Sequence, residues 1–127
     1  MKYMKSKKND LFEREHQAWE SRLEFFNQEH ALLKYRISEL VDSNEDHQFL
    51  QMAEYFQNEL LLKDEMLNKL TKELREFSEN VKQLPNINPL SQNMIDRYEI
   101  LRNEMLDFEK SSLKLSREFN KRMLQAK

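Results

Sequence analysis

The sequence contains no glycine, no cysteine and only two prolines, Pro85 and Pro89. With so few residues of these types, little in the chain can break a helix or form the tight turns that join β-strands. The lack of cysteine excludes a disulfide framework, a thiolate nucleophile and a zinc site built on thiolates. These absences predict an all-α protein and remove several kinds of enzyme site.

Long apolar runs are missing as well. No window approaches the run of about 18 apolar residues that a membrane-spanning helix needs, and no apolar run follows the basic N-terminal residues as in an export signal. The formal net charge is -2, so nothing global attracts nucleic acid or an anionic membrane. We therefore expect a soluble, unexported, cytoplasmic protein that binds neither nucleic acid nor a membrane.

Helical periodicity is what the 127-residue sequence has in abundance. Apolar residues recur at alternating steps of four and three from Phe12 to Leu40, the spacing of side chains on one helix face. The same alternation runs from Phe49 to Leu84 and from Met94 to Ala126, with Arg122 as one member of this last row. After a flexible basic tail at residues 1–9, a single domain at 10–127 is predicted. Its helices are placed at about residues 10–42, 45–84 and 89–126.

Polar residues and prolines mark the predicted helix ends. The segment 42–44 holds no apolar residue and favours local bonds between side chains and backbone, so it ends the first helix. Pro85 and Pro89 define the second connection, because each disfavours helix at the residue before it. The predicted N-caps are Asn9 or Asp10 for the first helix, Ser43 for the second and Asn88 for the third.

Short connections make neighbouring helices antiparallel, so the predicted architecture is an up-down three-helix bundle with coiled-coil-like packing. Two of the predicted core layers are Phe12 with Phe77 and Tyr98, and Leu33 with Phe56 and Phe119. In this arrangement the basic segment from Lys110 to Lys127 lies beside the acidic turn between the first two helices. We therefore expect its cations to pair within the chain rather than with nucleic acid.

Polar residues interrupt the apolar rows near the middle of the bundle. His30, Lys63 and Ser112 are predicted to form a polar core layer, which can fix the register of a bundle at a cost in stability. A buried ammonium is unfavourable unless it is paired, so Lys63 either extends to solvent or meets Glu59 or Glu109. The layer lacks a second acid or base and a phosphate-binding loop. We therefore predict no enzyme, no cofactor and no small-molecule substrate.

Two histidines in the first helix raise the alternative of a metal-binding or sensory bundle. Glu13 and His16 have the Glu-x-x-His spacing that di-iron bundles use twice, but a second such pair is missing. About 21 Å of helix separates His16 from His30, so one ion cannot bind both. Hydrogen-bonded structural histidines are the default interpretation. Metal binding by His16 or His30 with nearby carboxylates stays as the alternative, and no metal ligand is predicted.

A second set of apolar residues repeats every seven positions outside the core rows. The residues predicted to form an interface are Leu11, Ala18, Phe25 and Leu32 in the first helix and Tyr55 and Leu62 in the second. Leu106 and Leu113 have the same spacing in the third helix. A second apolar row on a long helix favours packing against another helix.

These rows lead to a hypothesis about function. We predict a non-enzymatic interaction or structural protein that packs its helices against itself, as a homo-oligomer, or against a helical protein partner. A closed three-helix monomer and a bundle completed by a helix from a second subunit both fit the sequence.

Overall fold

A computed structural model describes residues 7–84 and 90–123 of the chain, without the side chains of residues 7–10. It contains three α-helices, α1 (Lys7–Asp42), α2 (His47–Lys82) and α3 (Gln92–Arg122), and no strand among the described residues. The helices pack against one another, which confirms the predicted all-α three-helix bundle. Residues 1–6 of the predicted tail, the predicted cap Asn88 and Ala126 lie outside the described residues.

The turn between α1 and α2 differs from the prediction by one capping residue. Asp46, not Ser43, caps α2, since its carboxylate accepts a 3.2 Å hydrogen bond from the backbone N–H of Gln48. The Ser43 hydroxyl instead donates to the backbone carbonyls of Glu39 and Leu40, both at 3.2 Å. Ser43 therefore closes the end of α1, and α1 ends at Asp42 as the polar segment predicts.

The starts of α1 and α3 are also displaced from the predicted positions. Helix α1 already begins at Lys7, so Asn9 and Asp10 lie inside the helix and do not cap it. Helix α3 begins at Gln92, because the Ser91 hydroxyl accepts a 3.3 Å hydrogen bond from the backbone N–H of Met94. A side-chain oxygen just before the first turn satisfies one of the N–H groups that have no partner within the helix.

Aromatic contacts give the direction of each helix. The ring of Phe12, near the start of α1, lies 4.7 Å from that of Phe77 near the end of α2 and 5.5 Å from that of Tyr98 near the start of α3. At the opposite end, Phe56 of α2 and Phe119 of α3 have ring centroids 5.6 Å apart. Helix α2 therefore runs against α1 and α3, and these two helices run in the same direction.

The core consists of two apolar clusters, one toward each end of the bundle. The first cluster includes Phe12, Trp19, Leu70, Phe77, Leu101 and Phe108. The second includes Leu33, Ile37, Phe56, Leu60, Leu115 and Phe119. Burial of each large side chain of this kind stabilises the fold by about 1.5–3 kcal/mol.

The core row of α3 ends differently from the prediction. Met123 is fully buried in the second cluster, while Arg122 is exposed and its guanidinium lies 5.9 Å from the ring of Tyr55 and 5.7 Å from that of Phe56. A step of four from Phe119 thus places an apolar methionine inside. The arginine remains hydrated and makes a favourable cation–π contact at the edge of the core.

Candidate interaction surface

Two of the buried polar residues of the bundle, His30 and Ser112, lie between its two apolar clusters. His30 and Ser112 are each 1% exposed. The Nδ1 atom of His30 is 3.0 Å from Oδ1 of Asp64, and an ionised carboxylate only accepts, so Nδ1 donates. The ammonium of Lys34 donates to the other oxygen of Asp64. His30 is thus joined through Asp64 to a cation at the protein surface.

Burial controls the charge of His30. Loss of hydration lowers the pKa of His30 below its ordinary value of 6.5, and the hydrogen bond and charge of Asp64 offset only part of this effect. The imidazole is therefore neutral at pH 7. Neither its Nε2 atom nor Oγ of Ser112 has a hydrogen-bond partner among the described residues.

Asp64, not Lys63, is the α2 residue beside His30. Lys63 is half-buried and lines a shallow surface cavity with Glu59 and Ser111. Lys63 thus lies at the α2–α3 surface and not in the predicted core layer, because its ammonium stays hydrated there. The other predicted carboxylate partner, Glu109, pairs instead with Arg22 at 3.0 Å. The polar layer therefore consists of His30 and Ser112, reached from the surface by Asp64.

The histidine nearer the start of α1 has a different environment. The ring of His16 stacks on that of Phe12 with centroids 5.4 Å apart, and its Nε2 atom lies 3.2 Å from Oε1 of Glu20 without the alignment of a hydrogen bond. Within residues 7–84 and 90–123, no group of three or more His, Cys, Asp or Glu side chains is arranged to hold a metal ion.

Three polar contacts show how α1 and α3 are aligned. Glu15 accepts from Arg102 at 2.6 Å, Arg22 donates to Glu109 at 3.0 Å and Ser116 donates to Glu29 at 3.5 Å. The partners are 87 positions apart in every case. Because these contacts recur every seven residues with one constant offset, α1 and α3 lie parallel and in step.

The first of these contacts is part of a larger network. The Tyr98 hydroxyl donates to Glu15, and the guanidinium of Arg102 lies 5.0 Å from the centroid of the Tyr98 ring. Burial, followed by the hydrogen bond to Glu15, raises the pKa of Tyr98 to about 12. The phenol therefore remains a proton donor at physiological pH, and it ties the start of α3 to α1.

A groove lies on the outer side of these contacts. Leu11 of α1 and Glu99 of α3 line one cavity of about 170 Å³, together with Arg102. Since both helices advance by one heptad together, the following levels of this groove are occupied by Ala18 with Leu106, Phe25 with Leu113, and Leu32 with Asn120. These four levels are called the α1–α3 groove below.

The large apolar side chains of the α1–α3 groove are strongly exposed. The exposed fractions are 48% for Leu11, 55% for Phe25, 44% for Leu32, 45% for Leu106 and 43% for Leu113. Helices α1 and α3 also approach each other closely at fewer places than either of them approaches α2. The result is an open apolar surface with aligned side chains on both of its walls.

The remaining predicted interface residues lie on a different face. Tyr55 lines a cavity between α2 and α3 with Lys114 and Glu118, and Leu62 follows Tyr55 by seven residues on the same side of α2. Both side chains are exposed, like those of the α1–α3 groove. The six residues predicted as one interface are thus all at the surface, but the structure divides them between two faces.

No protein family, curated protein or solved structure was found to match the chain. In the part of the chain that the structure describes, no helix has a stretch long and apolar enough to cross a bilayer.

Proposed function

We propose that this protein is a non-enzymatic interaction protein that binds an apolar helical surface in the α1–α3 groove. The observation that carries the proposal is the alignment of exposed leucine and phenylalanine residues on two parallel helices in register. A partner helix with apolar residues at heptad spacing can place its side chains between these two walls. The cytoplasmic location of the protein itself stays a prediction.

The energetics of the groove support this role. Burying one leucine or phenylalanine side chain contributes about 1.5–3 kcal/mol, so the groove offers on the order of 10 kcal/mol of favourable burial. Association costs an estimated 4–15 kcal/mol in lost translational and rotational freedom. The two quantities are similar in size, which fits a reversible complex better than a permanent one.

The surroundings of the histidines favour this proposal over a metal-binding or sensory bundle. Asp64 occupies Nδ1 of His30, and the rest of that imidazole lies within the sealed core, where its ring contacts Phe26 and Phe108. His16 stacks on Phe12, and its Nε2 atom lies 3.2 Å from the carboxylate of Glu20. Both histidines thus have contacts of a structural kind. The α1–α3 groove, in contrast, presents groups for which the described chain supplies no cover.

A matched pair of double variants tests the proposal. Phe25→Lys with Leu113→Lys places charges in the α1–α3 groove, whereas Tyr55→Lys with Leu62→Lys places them on the α2–α3 face. Light scattering after size exclusion, and chemical crosslinking followed by affinity purification from cells, measure association with the same chain or with another protein. Circular dichroism checks that both variants remain helical.

In the groove variant, the amount of associated protein is expected to fall at least about tenfold. In the control variant it is expected to stay at the wild-type level. Equal association of wild type and groove variant contradicts the proposal. The proposal is also contradicted if the wild-type chain is monomeric at every accessible concentration and no partner is crosslinked to the wild type but lost in the groove variant.

A further inference from the structure

The side chains of the α1–α3 groove are arranged almost symmetrically about its middle. On α1, the groove ends at Leu11 and Leu32, and its midpoint falls next to Arg22. On α3, Leu106 and Leu113 lie on either side of Glu109, the residue that pairs with Arg22. An end-to-end reversal about the Arg22–Glu109 pair therefore superimposes the ends of the groove on each other.

The one large asymmetry is a difference in size. Ala18 and Phe25 are equally far from the midpoint, so the reversal places the largest groove side chain of one copy opposite the smallest of another. Helices that interdigitate need this complementarity of large and small residues. In a parallel arrangement about an axis along the helices, α1 of one copy faces α3 of the other, so both Phe25 side chains share one level and both Ala18 side chains share the next, which overpacks one level and leaves a gap at the other.

The exposed charges of α3 change sign along the groove, from mostly acidic in its first half to basic in its second half. The exposed charged residues of α3 are acidic from Gln92 to Asp107, apart from Arg97 and Arg102, and basic from Lys110 to Arg122. The side chains of Arg97 and Arg102 are 42% and 41% exposed, and they pair with Glu73 and Glu15 of the other helices. At the groove itself, Glu99 belongs to the acidic half, while Lys110 is a surface neighbour of both Leu106 and Leu113. In antiparallel docking α3 of one copy faces α3 of the other, so acidic halves meet basic halves. Parallel docking instead places the two acidic halves at one level and the two basic halves at the other.

From the size and charge patterns we infer that the partner in the α1–α3 groove is a second copy of this chain, docked antiparallel with the two-fold axis beside the Arg22–Glu109 pairs. This inference rests on the proposed function and names its partner. Phe25 of each copy fills the space above Ala18 of the other, and the α1–α3 faces of the two copies pack against each other as four helices in two layers. Such an isologous contact closes on itself and yields a dimer.

The available surface is large enough for this dimer. The four levels extend over about 30 Å, and two adjacent helices are about 20 Å wide. The face is therefore on the order of 600 Å² per copy, which approaches the ~800 Å² per partner of a standard stable interface.

Disulfide crosslinking tests the arrangement without interference, since the chain has no native cysteine. Full-length Leu11→Cys and Leu32→Cys chains are prepared separately, then oxidised alone and as an equimolar mixture. In the antiparallel dimer, position 11 of one copy faces position 32 of the other. We expect a disulfide-linked dimer from the mixture and little from either variant alone. Leu62→Cys, on the other face, is the control and is expected to remain uncrosslinked alone and with either variant.

The outcomes separate this inference from the proposed function. Efficient crosslinking of Leu11→Cys to itself indicates parallel docking, which overturns the inference and leaves the proposed function standing. A monomeric wild type with groove-dependent binding of a different protein also overturns the inference alone. Absence of any groove-dependent association overturns both. Circular dichroism and light scattering of each cysteine variant before oxidation show whether it folds and associates like the wild type, and a variant that does not is replaced by the Ala18→Cys and Phe25→Cys pair.

Discussion

The imidazole of His30 and the carboxylate of Asp64 join α1 to α2 at 3.0 Å, between the two apolar clusters of the core. Asp64 holds one nitrogen of the ring and fixes its orientation. The titratable groups around this imidazole are Asp64 and Lys34, with Glu29 more weakly coupled, while α3 contributes the uncharged Phe108 to its surroundings. The pair therefore couples helix packing to the protonation of a single ring.

Acid is expected to destabilise the fold through His30. Its pKa in the folded state is lower than the value of 6.5 taken for the unfolded chain. Above the unfolded value the ring is neutral in both states, and its contribution to stability is complete. As the pH falls below that value, the unfolded chain binds the proton more readily, and the free energy of unfolding decreases. Thermal melts at about pH 7.5 and about pH 5.5 measure this decrease.

Two variants isolate the contribution of His30. His30→Leu removes the titrating ring, so it should reduce the loss of melting temperature between the two pH values. His47→Gln replaces an exposed histidine and should leave that loss unchanged. If His30→Leu melts with the full pH dependence of the wild type, the effect does not come from this ring.

Removing the buried hydroxyl of Ser112 is expected to stabilise the protein. Its Oγ atom has no hydrogen-bond partner among the described residues, and a buried polar group without a partner costs about 1–3 kcal/mol. Ser112→Ala should raise the free energy of unfolding by about 1 kcal/mol in urea titrations. Ser111→Ala is the control, because Ser111 donates to the backbone carbonyl of Phe108 at 3.1 Å and should gain no stability on substitution. A loss of stability in Ser112→Ala contradicts the prediction.

Adjacent leucines in α2 test the assignment of core and surface. Leu60 is 0% exposed and Leu61 is 56% exposed. Leu60→Ala should lower the free energy of unfolding by about 2–5 kcal/mol, since it leaves a cavity in the second cluster. Leu61→Ala should change it by less than about 0.5 kcal/mol. Similar losses of unfolding free energy for the two variants in denaturant titrations contradict the orientation of α2, in which Leu60 faces the core and Leu61 faces solvent.

Charge reversal on α3 tests the inferred antiparallel dimer independently of disulfides. Lys110→Glu, Arg117→Glu and Lys121→Glu together make both halves acidic and should weaken self-association about tenfold at low salt. Asp96→Lys with Glu99→Lys makes both halves basic and should have a similar effect. A chain with all five substitutions again has halves of opposite charge and should recover most of the affinity. Sedimentation at low and high salt measures these changes, and failure of the fivefold variant to recover contradicts antiparallel docking.

The three helices and most of their core faces could be predicted from the sequence, because long heptad rows leave little choice about which side chains are buried. The polar layer was harder to locate in detail. From Leu60 to Leu67 the row can pass through Lys63 or Asp64, and both steps are compatible with a helix. Tertiary packing selects Asp64, since His30 of α1 provides a hydrogen-bond donor. At the end of α3, the apolar side chain of Met123 indicates a core position. The regular alternation of steps favours Arg122 instead, so the sequence pattern alone predicts the wrong residue.

The exposed rows could be recognised from spacing, but the grouping of these rows could not. Spacing within one helix says that Phe25 and Leu32 share a face. It does not say which neighbouring helix lies beside that face. The offset between α1 and α3 supplies this information, and it joins the α1 row to Leu106 and Leu113 rather than to Tyr55.

The constant offset of 87 positions between α1 and α3 also restricts how the length of this protein can vary. Deleting one residue within a helix turns everything beyond it by about 100° and separates each later contact from its partner. Removing one complete heptad from each of the three helices at the same level instead preserves every remaining contact. Shortened versions of the protein are therefore expected to keep the fold when all three helices lose seven residues together.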